Sequence, residues 1–422
     1  MKLNYGKVFL LGLGFFGVSV IWGVYNAFVP IFLAEKFNLA PVFIGFFMTL
    51  DNIAALFIQP PVGAWSDRLR TPIGRRMPFV LIGAPIGAVV FGLIPLAAVL
   101  PLFVACTSTL ILSMALWRTP VVALMPDITP SQYRSQANGI INFMGGVGAI
   151  TSFLGGSALY KMNPAFPFWM GSALVVLAGI MVFALIREPK EYEVTEKPPG
   201  MIESLNEVLR DRERSAIRIF LAIFFWFLGF TAIEAFFTLY AKNHLGLNEA
   251  DGARLLGHLS LFFVLFALVS GYLGGKIGRR VTIMSGITLL GALILAMFFL
   301  SPAVLTMVLT KLPVLGTVPV ISLFLMGAGI GWALININSL PMVVDLTTSA
   351  RLGTYTGLYY LFSTLSAIVG PNVNGWAVQL SGGNYNVIML LAPFFMVIAF
   401  ILMLGVKRGE ATKNVESVLP KV

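Results

Sequence analysis

The sequence predicts an all-α membrane protein, with twelve transmembrane helices in two pseudo-symmetric six-helix bundles. Three observations predict it. Apolar runs of about 20 residues or more recur along the whole chain, each long enough to cross a bilayer. Only 11% of the 422 residues are charged and 58% are hydrophobic, whereas a soluble domain carries roughly 25% charged residues. Stretches of the first half also return in the second half in the same order.

The spans fall near 8–34, 42–65, 77–98, 101–126, 136–160, 166–187, 216–241, 252–274, 281–301, 316–342, 353–379 and 384–406. At about 1.5 Å per residue each crosses a hydrocarbon core of about 30 Å with tilt. The first run is too long for the apolar core of a signal peptide and reads as a retained span. Span 2 contains Pro60 and Pro61, span 4 Pro120, and span 11 Pro371. Membrane helices tolerate proline where neighbouring groups satisfy the freed carbonyls. The longest loop, 188–215, is charged and contains Pro198-Pro199-Gly200. It separates an N-terminal bundle, 1–187, from a C-terminal bundle, 216–422. Ile202, Leu205, Val208 and Leu209 lie at helical spacing within it, which suits a surface-lying helix or a solvated linker equally.

Lysine and arginine set the orientation. With the N-terminus inside, the inner segments hold 22 of them and the outer segments 5. Both termini are therefore expected in the cytoplasm, in a multi-pass protein of the plasma (inner) membrane. The net charge of +10 sits in these short loops, so it marks topology rather than nucleic-acid binding. The single Cys106 excludes an intramolecular disulfide. His244 and His258 lack metal-ligand spacing, and the sequence carries no phosphate loop, triad or zinc motif. No enzyme activity, cofactor or metal is expected.

The repeat is specific. Asn26-Ala27-Phe28 through Leu39 matches Glu234-Ala235-Phe236 through Leu247 without a gap. Gly74-Arg75-Arg76 matches Gly278-Arg279-Arg280. Ala115-Leu116-Trp117-Arg118 through Asp127 matches Ala333-Leu334-Ile335-Asn336 through Asp345. Parallel repeats place a substrate site near mid-membrane, at their interface.

Asp51, Arg118 and Glu234 lie in the middle of spans. A charge at that depth costs at least ~2.5–3.5 kcal/mol, so each is expected to face a cavity or a partner. Desolvation disfavours an ionised carboxyl, which makes Asp51 and Glu234 candidate proton carriers. The plainer reading is a hydrogen-bonded carboxyl that fastens helices together. Arg118 keeps its proton; it suits a partner that an acid holds and substrate releases, or a permanent ion pair. Trp22, Tyr25 and Asn26 share one face of span 1. Asp51 and Gln59 lie on one stripe of span 2, Trp332 and Asn336 on one of span 10. Asn142, Tyr359 and Asn372 are further polar candidates. Aromatic faces and amides suit a hydroxylated solute, although aromatics at this depth also serve ordinary packing.

Gly63-Ala64-Trp65-Ser66-Asp67-Arg68, followed by Gly74-Arg75-Arg76, resembles the loop 2–3 signature of the major facilitator superfamily. The longer spacer and Met77-Pro78-Phe79 resemble the glycoside–pentoside–hexuronide cation symporters and the related sucrose–proton symporters. Trp117-Arg118-Thr119-Pro120, with Asp127-Ile128 and Ala137-Asn138 downstream, is similar to the fourth-span region of the sucrose branch. The resemblance covers all twelve spans and implies the major facilitator fold. It also implies that Asp67, Arg68, Gly74, Arg75 and Arg76 latch the cytoplasmic side while the carrier is open outward. Asp67 ends a helix at its negative pole, which Arg75-Arg76, Arg134 or another helix N-terminus would offset. The chain departs from the family twice. Plant sucrose symporters carry an aspartate where this chain has Thr107-Ser108-Thr109, and melibiose-type sodium symporters carry two where it has Ala55 and Gln59.

The expectation is a secondary active transporter, a proton-coupled sugar or glycoside symporter working by alternating access. Its partners are then a small-molecule substrate, a proton and the lipid bilayer. Asp51 is the better proton site, because Glu234 matches the neutral Asn26 and reads as a pocket position. An efflux antiporter for amphipathic compounds would need a more apolar cavity. A non-transporting membrane sensor would not need buried charges at matched depth.

Overall fold

The structure, a computed structural model, describes residues 5–129, 134–188, 214–347 and 351–409, together with Val208. The N-terminal rods are α1 (Tyr5–Ile31), α2 (Pro41–Arg68), α3 (Met77–Leu93), α4 (Leu100–Ile128), α5 (Arg134–Ile150) and α6 (Phe166–Leu185). The C-terminal rods are α7 (Ser215–Asn243), α8 (Glu249–Ile277), α9 (Arg279–Phe299), α10 (Val320–Val344), α11 (Leu352–Leu380) and α12 (Ile388–Leu404). Eleven of the twelve rods are long and apolar enough to cross a membrane. The other, α11, has 29 residues but carries Thr354, Ser363, Ser366, Asn372 and Asn374 among its apolar residues, as suits a helix that faces protein and cavity more than lipid.

Most of the expected spans are single helices, and the exceptions have local causes. A π turn, Phe32–Lys36, prolongs α1; another, Thr151–Gly155, carries α5 into a last turn, Gly156–Tyr160. Span 2 is broken into Pro41–Phe47, Leu50–Phe57 and Gln59–Arg68. Pro60 and Pro61 bring no N–H to the last break. At the first break the Thr49 hydroxyl donates to the Phe46 carbonyl at 2.7 Å, an alternative to the helical ladder. Asp51 thereby lands in the first turn of the middle piece, where the helix dipole favours negative charge.

The tenth span begins later than its apolar pattern suggests. Val308–Leu312 and Gly316–Pro319 form an antiparallel hairpin, β1 and β2, with Leu312 opposite Gly316. Gly316 takes a φ of +69°, open to glycine at little cost, and α10 starts only after Pro319.

Within each half the rods pack in pairs, α1 on α5 and α3 on α4, α7 on α12 and α8 on α10. The halves meet where α1 faces α7, α5 faces α8 and α2 faces α11. The α2–α11 crossing brings backbones into contact. A Cβ on Gly45 would lie 2.4 Å from the Pro371 carbonyl oxygen, and one on Gly375 2.5 Å from that of Pro41. Only glycine allows this reciprocal approach. Below, the end that holds Arg75-Arg76 and Arg279-Arg280 is the basic end; the end that holds Lys36, Lys161 and Lys242 is the opposite end.

Candidate functional site

The three mid-span charges gather between the halves. Asp51 on α2, Arg118 on α4 and Glu234 on α7 are each half-buried: densely surrounded by protein, yet partly accessible. That combination suits the space between the halves better than a lipid face. Asp51 lies within Coulombic reach of Arg118, Glu234 and Tyr25. Arg118 reaches Asp51 and Tyr360. The Asp51 carboxylate accepts from the Asn52 amide at 2.8 Å, and Glu234 accepts from the Asn26 amide at 3.4 Å across the two halves. A second cavity surface of Glu234 borders a void of about 30 Å³, lined also by Phe153, Phe230 and Ser260. That is room for about one water molecule. A larger concavity, about 660 Å³, lies elsewhere, between α3 and α6. Its lining is apolar and it contains none of these charges, so the mid-depth cluster remains the place for chemistry.

The aromatic candidates are placed unevenly. Trp22 meets Tyr25 edge to face at 5.5 Å. Tyr25 is 1% exposed, and its hydroxyl, beside Asp51, has no hydrogen-bond partner among the described residues. An unmet buried hydroxyl costs about 1–3 kcal/mol. Trp332 is 6% exposed and stacks on Phe230 at 3.8 Å, with Phe227 against it edge to face. Tyr359 is equally buried and bonds Ser339 at 3.0 Å. Its neighbour Tyr360, which the helical stripes did not single out, is 56% exposed and faces Arg118.

The amides divide as well. Asn372 donates to the Ile368 carbonyl at 2.7 Å and to the Thr49 hydroxyl at 3.4 Å, so it ties α11 to the break in α2 next to Asp51. Asn336 is half-buried on α10 and Gln59 half-buried on α2, while Asn142 is exposed on α5. Asn338 differs from Asn336: it is buried and bonds Ser270 and Leu334, which fastens α8 to α10.

At the basic end Arg76 holds Asp67 at 2.6 Å and Asp127 at 3.1 Å, and Arg75 holds Asp127 at 2.7 Å. Arg76 thus supplies the countercharge that Asp67 needs at its helix C-terminus; the Arg134 side chain lies outside the described residues. Arg68 is exposed. Sequence reasoning missed the centre of this network. Glu188, at the end of α6, accepts from the backbone N–H groups of Arg75, Arg76 and Met77 at 3.0, 2.8 and 2.8 Å. It caps the first turn of α3 from the segment just beyond α6, where the dipole favours an anion. Gly74 has a φ of +114°, and a Cβ there would lie 2.5 Å from a Glu188 carboxylate oxygen. The second half repeats part of the arrangement: Arg279 pairs with Asp345, the repeat mate of Asp127.

Two facing helical halves, with half-buried charge at mid-depth between them, are the architecture of a polytopic membrane protein. A family model described as Major Facilitator Superfamily matches residues 11–342, and the chain belongs to that superfamily. Among solved structures, it resembles a bacterial homologue of the human lysosomal transporter Spinster in an inward-facing, occupied conformation. The TM-score is 0.74 at 15% identity, over 96% of this chain and 97% of that one. The nucleoside transporter NupG aligns with a TM-score of 0.68 at 17% identity, over 96% of this chain and 100% of that one. At such identities the likeness shows the fold alone. Multidrug resistance protein 1 of Bacillus subtilis (strain 168) is 22% identical over 224 residues, 53% of this chain and 56% of that protein. Sucrose transport protein SUC3 of Arabidopsis thaliana is 22% identical over 237 residues, 48% of this chain and 40% of that protein. The chain therefore matches only about half the length of these relatives.

Proposed function

We propose that the protein is a proton-coupled symporter for a sugar or glycoside, working by alternating access. The observation that carries this reading is the mid-depth cluster of Asp51, Arg118 and Glu234 between the halves, with Asn26 bonded to Glu234. Substrate binds at the interface to Arg118, Glu234, Asn26, Asn336 and Tyr360, with Trp22 and Tyr25 beside it. Arg118, within Coulombic reach of Asp51, favours its ionised form; a bound hydroxyl that draws Arg118 away favours protonation of Asp51. Residues 1–187 and 216–422 act as the two rocking bodies and 188–215 as the connection. The basic end faces the cytoplasm of a plasma (inner) membrane, with both termini inside, as the lysine and arginine count supports. The loop holding Asp67, Arg68, Gly74, Arg75 and Arg76 latches that side.

A second reading, efflux of amphipathic compounds, is favoured by the aromatic group of Phe227, Phe230, Trp332, Tyr359 and Tyr360 beside the cavity and by the Bacillus relative. One experiment separates them. Proteoliposomes are given a panel of labelled sugars and, separately, lipophilic cations, each with and without an imposed pH gradient. Sugar uptake that rises with an inward proton gradient supports symport; cation exchange against protons with no sugar uptake overturns it.

A further inference from the structure

At the opposite end, besides the α2–α11 crossing, a set of polar contacts between the halves converges on the first turn of α8. Lys161, just beyond α5, meets Asp251 at 2.9 Å. The Ser157 hydroxyl donates to the Ala250 carbonyl at 2.7 Å, in a buried contact. Lys242, near the end of α7, bridges Glu249 of that turn to Glu35 in the π turn of α1. The turn itself is fixed by Asn248, whose side chain accepts from the Asp251 N–H at 2.8 Å and donates to its carboxylate at 2.6 Å.

The two ionic groups share one design. Lys242 has an acid from each half, Glu249 from its own and Glu35 from the other. Asp251 has a cation from each half, Arg254 from its own and Lys161 from the other. We propose that Glu35 and Lys161 are gating residues, the detachable members of a two-point ionic latch that holds the opposite end shut. The proposal rests on the alternating-access reading above. When the halves part, Lys242 keeps Glu249 and Asp251 keeps Arg254, so no charge is stranded without a partner in the C-terminal half. Only Glu35 and Lys161 pass fully into water. Their side chains are already 41% and 45% exposed, so little further hydration has to be gained. Breaking a buried pair would be strongly unfavourable; pairs whose detachable member is already exposed are weak enough to open and close in every cycle. The groups have opposite polarity, acid–base–acid against base–acid–base, so no net charge builds up at the seam.

The test uses a Cys106→Ser background and two reporter cysteines. Ser260→Cys lines the small cavity beside Glu234, on the latch side of the cluster. Gly357→Cys lies one turn from Tyr360 on the exposed face of α11, where an added Cβ meets nothing. Labelling by a membrane-impermeant maleimide is followed in proteoliposomes. Glu35→Gln with Lys161→Gln should raise labelling at Ser260→Cys by roughly two- to tenfold, as loss of two exposed pairs implies, and lower it at Gly357→Cys. Glu35→Lys with Lys161→Glu, which sets like charges against Lys242 and Asp251, should raise it further. Molar salt should raise it with the latch intact and not in the glutamine pair. If Asp67→Asn moves Gly357→Cys labelling while no latch variant moves Ser260→Cys, the latch is overturned and alternating access stands. If no variant moves either reporter, alternating access falls with it.

Discussion

Asn26 and Glu234 hydrogen-bond across the two halves at 3.4 Å, and they occupy the same position of the internal repeat. A residue that touches its own symmetry mate lies on the pseudo-twofold axis. Glu234 is therefore at the seam between the two halves. The repeat has diverged there into one donor and one acceptor.

That contact gives the first prediction. Glu234→Gln should weaken substrate binding by about 1.5–3 kcal/mol if the carboxylate accepts a hydrogen bond from the solute. Asn26→Ala should weaken it less. The two substitutions should be non-additive by about 0.5–3 kcal/mol in a double-mutant cycle, because each removes the other's partner. Isothermal titration or scintillation proximity binding on the four proteins measures the coupling, and strict additivity would separate Asn26 from the site.

Asp51 should carry the coupling proton. Asp51→Asn, a fixed mimic of the protonated acid, should abolish uptake driven by a pH gradient while exchange of labelled for unlabelled solute persists. Neither binding nor exchange requires net proton movement. If Asp51→Asn still accumulates solute and Glu234→Gln does not, the two roles are reversed. If both still accumulate it, the carrier is driven by something other than these acids.

The loop at the basic end should show a coupling that its signature alone does not suggest. Gly74→Ala should destabilise the protein by about 1–3 kcal/mol, since alanine meets both the positive φ and the Glu188 carboxylate. Glu188→Ala should cost a similar amount by uncapping α3. The double variant should be more stable than the sum of the two, because removing the carboxylate opens the space that the new Cβ needs. Thermal unfolding of purified protein in detergent measures all three.

Asp67 and Asp127 should separate stability from gating. Asp127 is 13% exposed and holds two arginines, whereas Asp67 is 55% exposed and holds one. Asp127→Asn should therefore lower stability by about 1–3 kcal/mol and Asp67→Asn by under about 1 kcal/mol. Asp67→Asn should still slow transport and raise the accessibility of Gly357→Cys from the basic end. Unchanged rate and accessibility would leave Asp67 without a gating role.

The twelve-rod fold was legible in the sequence because a bilayer forces it. Every span must satisfy its own backbone and present an apolar surface, and each condition is local in sequence. The repeat and the buried charges were legible for the same reason: Asp51, Arg118 and Glu234 stand out against apolar neighbours whatever the tertiary contacts. The contacts themselves were not. Nothing along α1 or α7 announces that Asn26 reaches Glu234, 208 positions away. Nothing distinguishes Tyr360, exposed and within Coulombic reach of Arg118, from Tyr359, buried and bonded to Ser339, because helix rotation decides what each side chain meets. Nothing along the chain sets Glu188, Glu35 or Lys161 apart from other charges near span ends. Each meets its partners only because the fold brings another segment to it. Helix existence and depth follow from solvent, which acts on every residue separately; partner choice follows from packing, which acts on residues far apart in the chain.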